Sequence, residues 1–193
     1  MVTTVDSPAV HGSAPVLRRL YFVRFGFALG WAAVLFATAG PGLSPLGAAL
    51  VILYPLFDVG SAIVDARSSR VSGPAPGLSV NAVISAAAAA GIAVGAASGV
   101  PAVLRVWGAW AVLAGLVQLV VAIGRRGMGG QWPMILSGGI SVLAGANFVL
   151  SAGAGNPSLS TVAGYAVLGG VFFLVSAIRL GRSVPGLTGI GRS

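Results

Sequence analysis

Apolar and polar positions along this chain are segregated into long blocks. Six apolar runs are separated by short segments rich in Gly, Pro and Ser. A helix needs roughly 20 apolar residues to cross about 30 Å of hydrocarbon, and each run is long enough to do so. The pattern therefore predicts six transmembrane helices, at about 20–39, 46–64, 79–99, 102–123, 133–152 and 160–180.

Arginines flank these spans on alternate sides, which provides an independent check on their number. The connections after the first, third and fifth spans carry no charge. The remaining segments carry Arg18 and Arg19, Arg67 and Arg70, Arg125 and Arg126, and finally Arg179, Arg182 and Arg192. Because basic residues gather on the cytoplasmic side, this alternation predicts that both termini are cytoplasmic. Arg105 is the exception, and its long side chain can reach the headgroups from about one turn inside its span.

The two ends of the chain differ from the apolar middle. Residues 1–16 are polar, small and proline-containing, without apolar periodicity, and are predicted to form a disordered cytoplasmic tail. Residues 183–193 are predicted to be a flexible cytoplasmic tail. Residues 17–182 form one all-α, polytopic membrane domain in this interpretation. A cleavable signal peptide is disfavoured, because the first apolar run is longer than a signal core and contains Arg24.

A threefold internal repeat relates the spans. Residues 53–63 align with 113–123 and with 168–178, and each copy ends on Ala-Ile followed by a nearby arginine. Such self-similarity indicates three tandem helical hairpins, at about 20–64, 79–123 and 133–180. Since every hairpin enters the membrane from the same side, the predicted symmetry axis lies near the membrane normal.

Composition agrees with a membrane protein and excludes several other classes. The 193 residues are 56% hydrophobic and 7% charged, with a mean hydropathy of +0.98, whereas soluble domains carry about 25% charged residues. A net charge of +8 would suggest a nucleic-acid partner in a soluble protein. Here the arginines lie between apolar runs, so nucleic-acid binding is rejected. Abundant Ala and Gly, with arginine in place of every lysine, suggest a GC-rich bacterial genome.

Small and aromatic residues predict how the helices pack and where they meet the interface. Small residues allow close backbone contact in lipid, so the odd spans are expected to form the tightly packed interior. Their small-xxx-small faces consist of Gly26 and Gly30, of Gly91, Gly95 and Gly99, and of Ser137, Ser141 and Gly145. Four aromatic residues are expected to anchor the bundle at the two interfaces: Tyr21, Trp107, Trp110 and Trp132.

Asp58 is the one acidic residue predicted to lie well inside a span, where a charge is costly and indicates function by default. It lies roughly 10 Å inward of Asp65, while Arg24 lies about 8 Å inward of Arg19 from the same side. The shared depth predicts an ion pair or hydrogen bond between Asp58 and Arg24. The alternative is an uncharged Asp58 that titrates in acid, with Pro55 as a hinge that admits water or a moving proton.

The repeat places other residue types where Asp58 stands in the first hairpin. Gln118 occupies the matching position in the second hairpin and Phe173 in the third. We include Gln118 in the candidate polar site, but the loss of polarity in the third copy argues against a symmetric pore. Asn81 and Asn147 are predicted to form hydrogen bonds between helices.

The residues needed for catalysis or metal binding are scarce. The chain has no cysteine, no lysine, and a single histidine, His11, in the predicted tail. Without a histidine in a span, Ser137 has no base to activate it as a nucleophile. The sequence therefore predicts a protein that is not an enzyme and that binds no metal or cofactor.

Three segments carry a resemblance to a known family. They are WGAWAVLAGLVQ at 107–118, followed by Arg125-Arg126; QWPMILSGGISVLAG at 131–145; and GYAVLGG at 164–170. These segments resemble the short repeat of the HdeD family of bacterial membrane proteins. The resemblance implies a six-span inner-membrane protein linked to acid-stress resistance, and the family offers no catalytic residues to transfer.

Three functional hypotheses follow from the residues and the resemblance. The first is a non-enzymatic membrane protein of the HdeD type, active in acid or general stress tolerance. The second is a small-solute or proton transporter that uses Asp58. The third is an accessory subunit of a larger membrane complex. The lipid bilayer is the expected partner in each, with other membrane proteins or a homo-oligomer as further partners.

Overall fold

Six long helices make up the computed structural model, which describes residues 13–40, 42–69, 76–124 and 132–182. They are α1 (Ser13–Thr38), α2 (Pro45–Ser69), α3 (Pro76–Gly95), α4 (Val100–Gly124), α5 (Trp132–Ser151) and α6 (Ser160–Arg182). A short 3₁₀ turn, Ala96–Ser98, follows α3. All six helices are long and apolar enough to cross a membrane, which confirms the predicted all-α class and number of spans.

Proline and glycine explain several helix boundaries. Five helices have a proline in their first turn, where no intrahelical N–H bond is lost: Pro15, Pro45, Pro76, Pro101 and Pro133. Gly99 separates the 3₁₀ turn from α4 with a φ of 83°, a conformation that favours glycine.

The helix boundaries correct one prediction about the tails. Because α1 begins at Ser13, residues 13–16 are helical, and the predicted disordered tail is wrong for those four positions. Pro15 is compatible with a first helical turn, so its presence did not mark a tail. The predicted tails at 1–12 and 183–193, together with Arg125 and Arg126, lie outside the described residues.

The helices form a closed ring. Each helix contacts the next one along the chain, and α6 returns to contact α1. The three most extensive contacts join different hairpins, namely α4 with α5, α1 with α6, and α2 with α3. We call these three contacts seams. The contacts within the hairpins are smaller, so the hairpins are held mainly by their neighbours.

The hydrophobic core is concentrated toward one end of the ring. We call this the far end; it carries the connections 39–44, 96–99 and 152–159, whereas α1 begins and α6 ends at the near end. Side chains from all six helices fill the far half of the bundle, among them Leu35, Val51, Ile92, Trp107, Phe148 and Val162, each at most 2% exposed. Trp107 and Trp110 therefore lie in the core, and their predicted role as interfacial anchors is wrong.

Glycines bring two backbones into close contact in the seam between α4 and α5. A Cβ added to Gly108 would lie 2.5 Å from the carbonyl oxygen of Gly145, and one added to Gly145 would lie 2.5 Å from that of Gly108. Gly115 and Gly138 face each other in the same way, seven residues along each helix. Small residues thus bring two helices of the bundle together as they do in other membrane proteins.

The prediction that the odd spans form the tight interior is partly wrong. A Cβ added to Gly26 or Gly30 of α1 would meet nothing within 4 Å. The glycines of α4, an even span, were not among the predicted faces. Periodic small residues show that a helix can approach another closely, but the pairing of helices decides which face does so.

Candidate intramembrane polar site

The buried ion pair between α1 and α2 is the centre of the candidate site. Asp58 of α2 is 8% exposed, and its Oδ1 accepts a hydrogen bond from Nη2 of Arg24 on α1. The structure thus brings together the two residues that were predicted to pair from their depth. The pair joins the two helices of the first hairpin.

The second carboxylate oxygen of Asp58 is held by α3. Nδ2 of Asn81 and Oγ of Ser85 each donate a hydrogen bond to Oδ2, both at 2.8 Å. These two residues are four positions apart, so they lie on the same face of α3, one turn above the other. Asn81 therefore forms the interhelical hydrogen bond predicted for it, across the seam between α2 and α3.

The network continues from α3 to α4. Nε1 of Trp110 donates a hydrogen bond to Oγ of Ser85 at 3.1 Å, and Ser85 is completely buried. Ser85 accepts from Trp110 while it donates to Asp58, so its hydroxyl links two helices to the carboxylate. We refer to Arg24, Asp58, Asn81, Ser85 and Trp110 as the polar cluster.

An aromatic ring of α6 covers the guanidinium of the polar cluster. Cζ of Arg24 lies 4.1 Å from the ring centroid of Phe173, a cation–π contact. Tyr21 lies beside the same ring, at a centroid distance of 6.0 Å. Phe173 is the residue that the repeat aligns with Asp58. Asp58 on α2 and Phe173 on α6 thus occupy equivalent positions in the repeat, and both contact Arg24. Asp58 does so through its charge and Phe173 through its π face.

The charges of the buried ion pair cancel, although Nε of Arg24 has no hydrogen-bond partner among the described residues. Moving a single ion from water into an apolar interior costs several kcal/mol even after relaxation, and a pair is tolerated only when further hydrogen bonds satisfy it. The side chains of Arg24 and Asp58 are 15% and 11% exposed, and their opposite charges cancel. Asn81 and Ser85 supply the additional donors. The arrangement fixes α1, α2 and α3 relative to one another.

An aromatic cluster lies on the far side of the polar cluster. Tyr54, one turn before Asp58 on α2, packs against Trp31, Trp107 and Trp110 at centroid distances of 4.7, 5.5 and 6.2 Å. Nε1 of Trp31 donates to the carbonyl oxygen of Leu50 at 2.7 Å. These closely packed rings separate the ion pair from the far end of the bundle.

Gln118 and Pro55 are the other predicted members of the site. Gln118 is half-buried on α4 and takes no part in the hydrogen bonds that the described residues make to Asp58. Pro55 is buried inside α2, which continues as a helix through it. Its role as a hinge remains a prediction. Asn147 is exposed on α5.

Ser85, Trp110 and Phe173 are the site residues that sequence analysis missed. The spacing of Asn81 and Ser85 was a usable signal, because two polar residues four apart form one polar face on an otherwise apolar helix. Trp110 was assigned to the interface. The position of Phe173 in the repeat indicated its depth, but nothing in the sequence indicated that α6 would lie against α1.

The described residues contain no group of three or more His, Cys, Asp or Glu side chains that could hold a metal ion. Comparisons of the chain with protein-family models, with curated proteins and with solved structures give no match.

Proposed function

We propose that this chain is a non-enzymatic integral membrane protein of the HdeD type that acts in acid or general stress tolerance. In this proposal it lies in the bacterial inner membrane with both termini in the cytoplasm. Its resemblance to the HdeD repeat suggests the physiological role, and the alternation of arginines supports the orientation.

The observation that carries the non-enzymatic part of the proposal is the hydrogen bonding of Asp58 within the bundle. Both carboxylate oxygens accept hydrogen bonds from side chains of the bundle. General acid–base catalysis requires a group within hydrogen-bonding reach of a substrate. A carboxylate that is occupied by Arg24, Asn81 and Ser85 is better suited to holding helices together than to handling a substrate.

Survival in acid, normalised to the amount of protein in the membrane, tests this function. A deletion strain is challenged at low and neutral pH and complemented with the wild type, with Asp58→Asn, or with Ser176→Ala as a control. Ser176 donates only to the carbonyl of Phe172 within its own helix, according to the described hydrogen bonds. We expect the deletion to reduce survival in acid, and Asp58→Asn to restore it in proportion to the protein that accumulates.

Two outcomes would contradict the proposal in different ways. Equal survival of the deletion and parent strains at low pH would remove the role in acid tolerance. An Asp58→Asn protein that accumulates normally but rescues nothing would favour the transporter hypothesis, in which Asp58 itself carries the proton. Normalising to protein amount separates this second result from a simple loss of folding.

A further inference from the structure

A groove with two arginines opens on the outside of α1 at the near end. It is a shallow, widely open depression of about 480 Å³, and all the residues that line it belong to α1: Pro15, Arg18, Arg19, Phe22 and Val23. Four of these residues have the spacing i, i+3, i+4 and i+7, which places them on one face of the helix. Phe22 and Val23 are 39% and 50% exposed, so the wall below the arginines is apolar.

The groove lies at the start of the apolar span of α1, where we expect headgroups to meet hydrocarbon. The apolar span of α1 begins at Pro15, and Arg18 lies three residues further, roughly 4.5 Å along the helix. Arginines at this depth reach outward to the headgroups, while the next turn of the helix contacts the acyl chains. The order of charge and apolar surface along the groove is therefore that of a phospholipid molecule.

Arg18 packs against the neighbouring helix. A Cβ added to Gly181, in the last turn of α6, would lie 3.0 Å from Nε and 3.1 Å from Cζ of Arg18. The absence of a side chain at Gly181 thus lets the guanidinium lie across the end of α6, where carbonyl groups carry partial negative charge. Cζ of Arg18 also lies 5.5 Å from the ring centroid of Phe22. These contacts place the guanidinium between the end of α6 and the ring of Phe22.

We propose that this groove binds an anionic phospholipid. Arg18 and Arg19 contact the phosphate, and an acyl chain lies along Phe22 and Val23. A planar guanidinium can donate two parallel hydrogen bonds to the oxygens of a lipid phosphate. The two positive charges attract a headgroup of net negative charge more strongly than a zwitterionic one of no net charge. The proposal goes beyond the stress-tolerance function and does not depend on it.

Native mass spectrometry of the purified chain in detergent micelles provides the test. Phosphatidylglycerol is titrated, and occupancy of the first bound lipid is measured for the wild type, Arg18→Gln, Arg19→Gln and Gly181→Val. Arg105→Gln is the matched control, because Arg105 is also an exposed arginine but lies on α4 at the far end. Thermal unfolding of each variant verifies that it is folded, and Gly181→Ala replaces Gly181→Val if the valine variant is not.

We expect Arg18→Gln and Arg19→Gln each to lower the affinity about fivefold, as is typical for a basic residue at an anionic surface. The Gly181 variant keeps every charge, so a loss of affinity there shows that the position of Arg18 matters. Arg105→Gln should bind like the wild type. An equal loss in Arg105→Gln, equally tight binding of phosphatidylcholine, or displacement of the lipid by millimolar inorganic phosphate would each overturn the proposal.

Discussion

The seam between α2 and α3 and the seam between α4 and α5 join hairpins at equivalent places in the repeat, but different forces hold them. In the first, Asp58 accepts hydrogen bonds from Asn81 and Ser85 across the seam. In the second, Gly108 and Gly145 bring the two backbones into contact. Lipid supplies no hydrophobic force between helices, so these two seams depend on such attractions.

We call the seam between α2 and α3 the polar seam and the seam between α4 and α5 the glycine seam. The polar seam has a consequence that the glycine seam lacks. A charged acceptor must be neutralised when it is buried, so Asp58 requires Arg24 from a third helix. Arg24 in turn lies against Phe173 in the seam between α6 and α1. The polar cluster therefore couples two of the three seams, whereas the glycine contact acts only between α4 and α5.

The largest expected effect comes from breaking the ion pair of the polar seam. Asp58→Asn and Arg24→Gln should each lower the free energy of unfolding by about 3–5 kcal/mol, because each leaves an uncompensated buried charge or an unmatched partner. The double variant should recover much of this loss. Unfolding in detergent and the yield of folded protein measure the cycle, and strictly additive losses would show that the two residues do not act as a pair.

Gly145→Ala tests the glycine seam. The new Cβ would meet the backbone of Gly108, which has no flexible side chain to move aside, so we expect a loss of about 1–3 kcal/mol in unfolding free energy. Gly139→Ala is the control on the same helix, because a Cβ there meets nothing within 4 Å. If both variants unfold alike, close backbone contact is not what stabilises this seam.

Ser85→Ala tests whether the polar seam depends on more than the ion pair. The change removes one hydrogen bond to the carboxylate and leaves Nε1 of Trp110 without its acceptor, for an expected loss of about 2 kcal/mol. Ser176→Ala, which removes a bond within α6, should have a smaller effect on thermal unfolding in detergent. If Ser85→Ala loses no more unfolding free energy than Ser176→Ala, the hydrogen bonds of Ser85 do not stabilise this seam beyond the ion pair of Arg24 and Asp58.

The smallest effect is expected at the third seam. Phe173→Leu keeps an apolar side chain but removes the π face above Arg24, which should cost about 1 kcal/mol. The same change in an Arg24→Gln background should cost less, because the cation is already absent. Double-variant unfolding measures this coupling, and an unchanged cost in both backgrounds would mean that Phe173 contributes only apolar contact.

Parts of this arrangement could be predicted from the sequence because they depend on distance along one helix. The six spans follow from the length of the apolar runs. The pairing of Arg24 with Asp58 follows from their similar depths, since both are measured from the same side of the membrane at a fixed rise per residue. Neither inference requires knowledge of how the helices are rotated.

Other parts depend on rotation and pairing, which the sequence pattern leaves open. An all-round apolar helix does not indicate which face meets a neighbour. Trp107 and Trp110 were therefore placed at the interface, although they are buried. Gly108 and Gly115 are seven residues apart, and their spacing does not distinguish them from the many other small residues of the chain. Their role in close helix contact becomes evident only when α5 is placed against α4.

The contact between α6 and α1 closes the ring, so the order in which the hairpins follow one another along the chain is not what builds it. A circular permutant that joined the end of α6 to the start of α1 and opened between α2 and α3 would contain the same three seams. Only the location of the break would differ. In the natural order, no loop connects α6 to α1, so this seam depends on contacts between side chains such as Arg24 and Phe173. In the permutant, no loop would connect α2 to α3, and that seam would depend on the contacts of Asp58, Asn81 and Ser85.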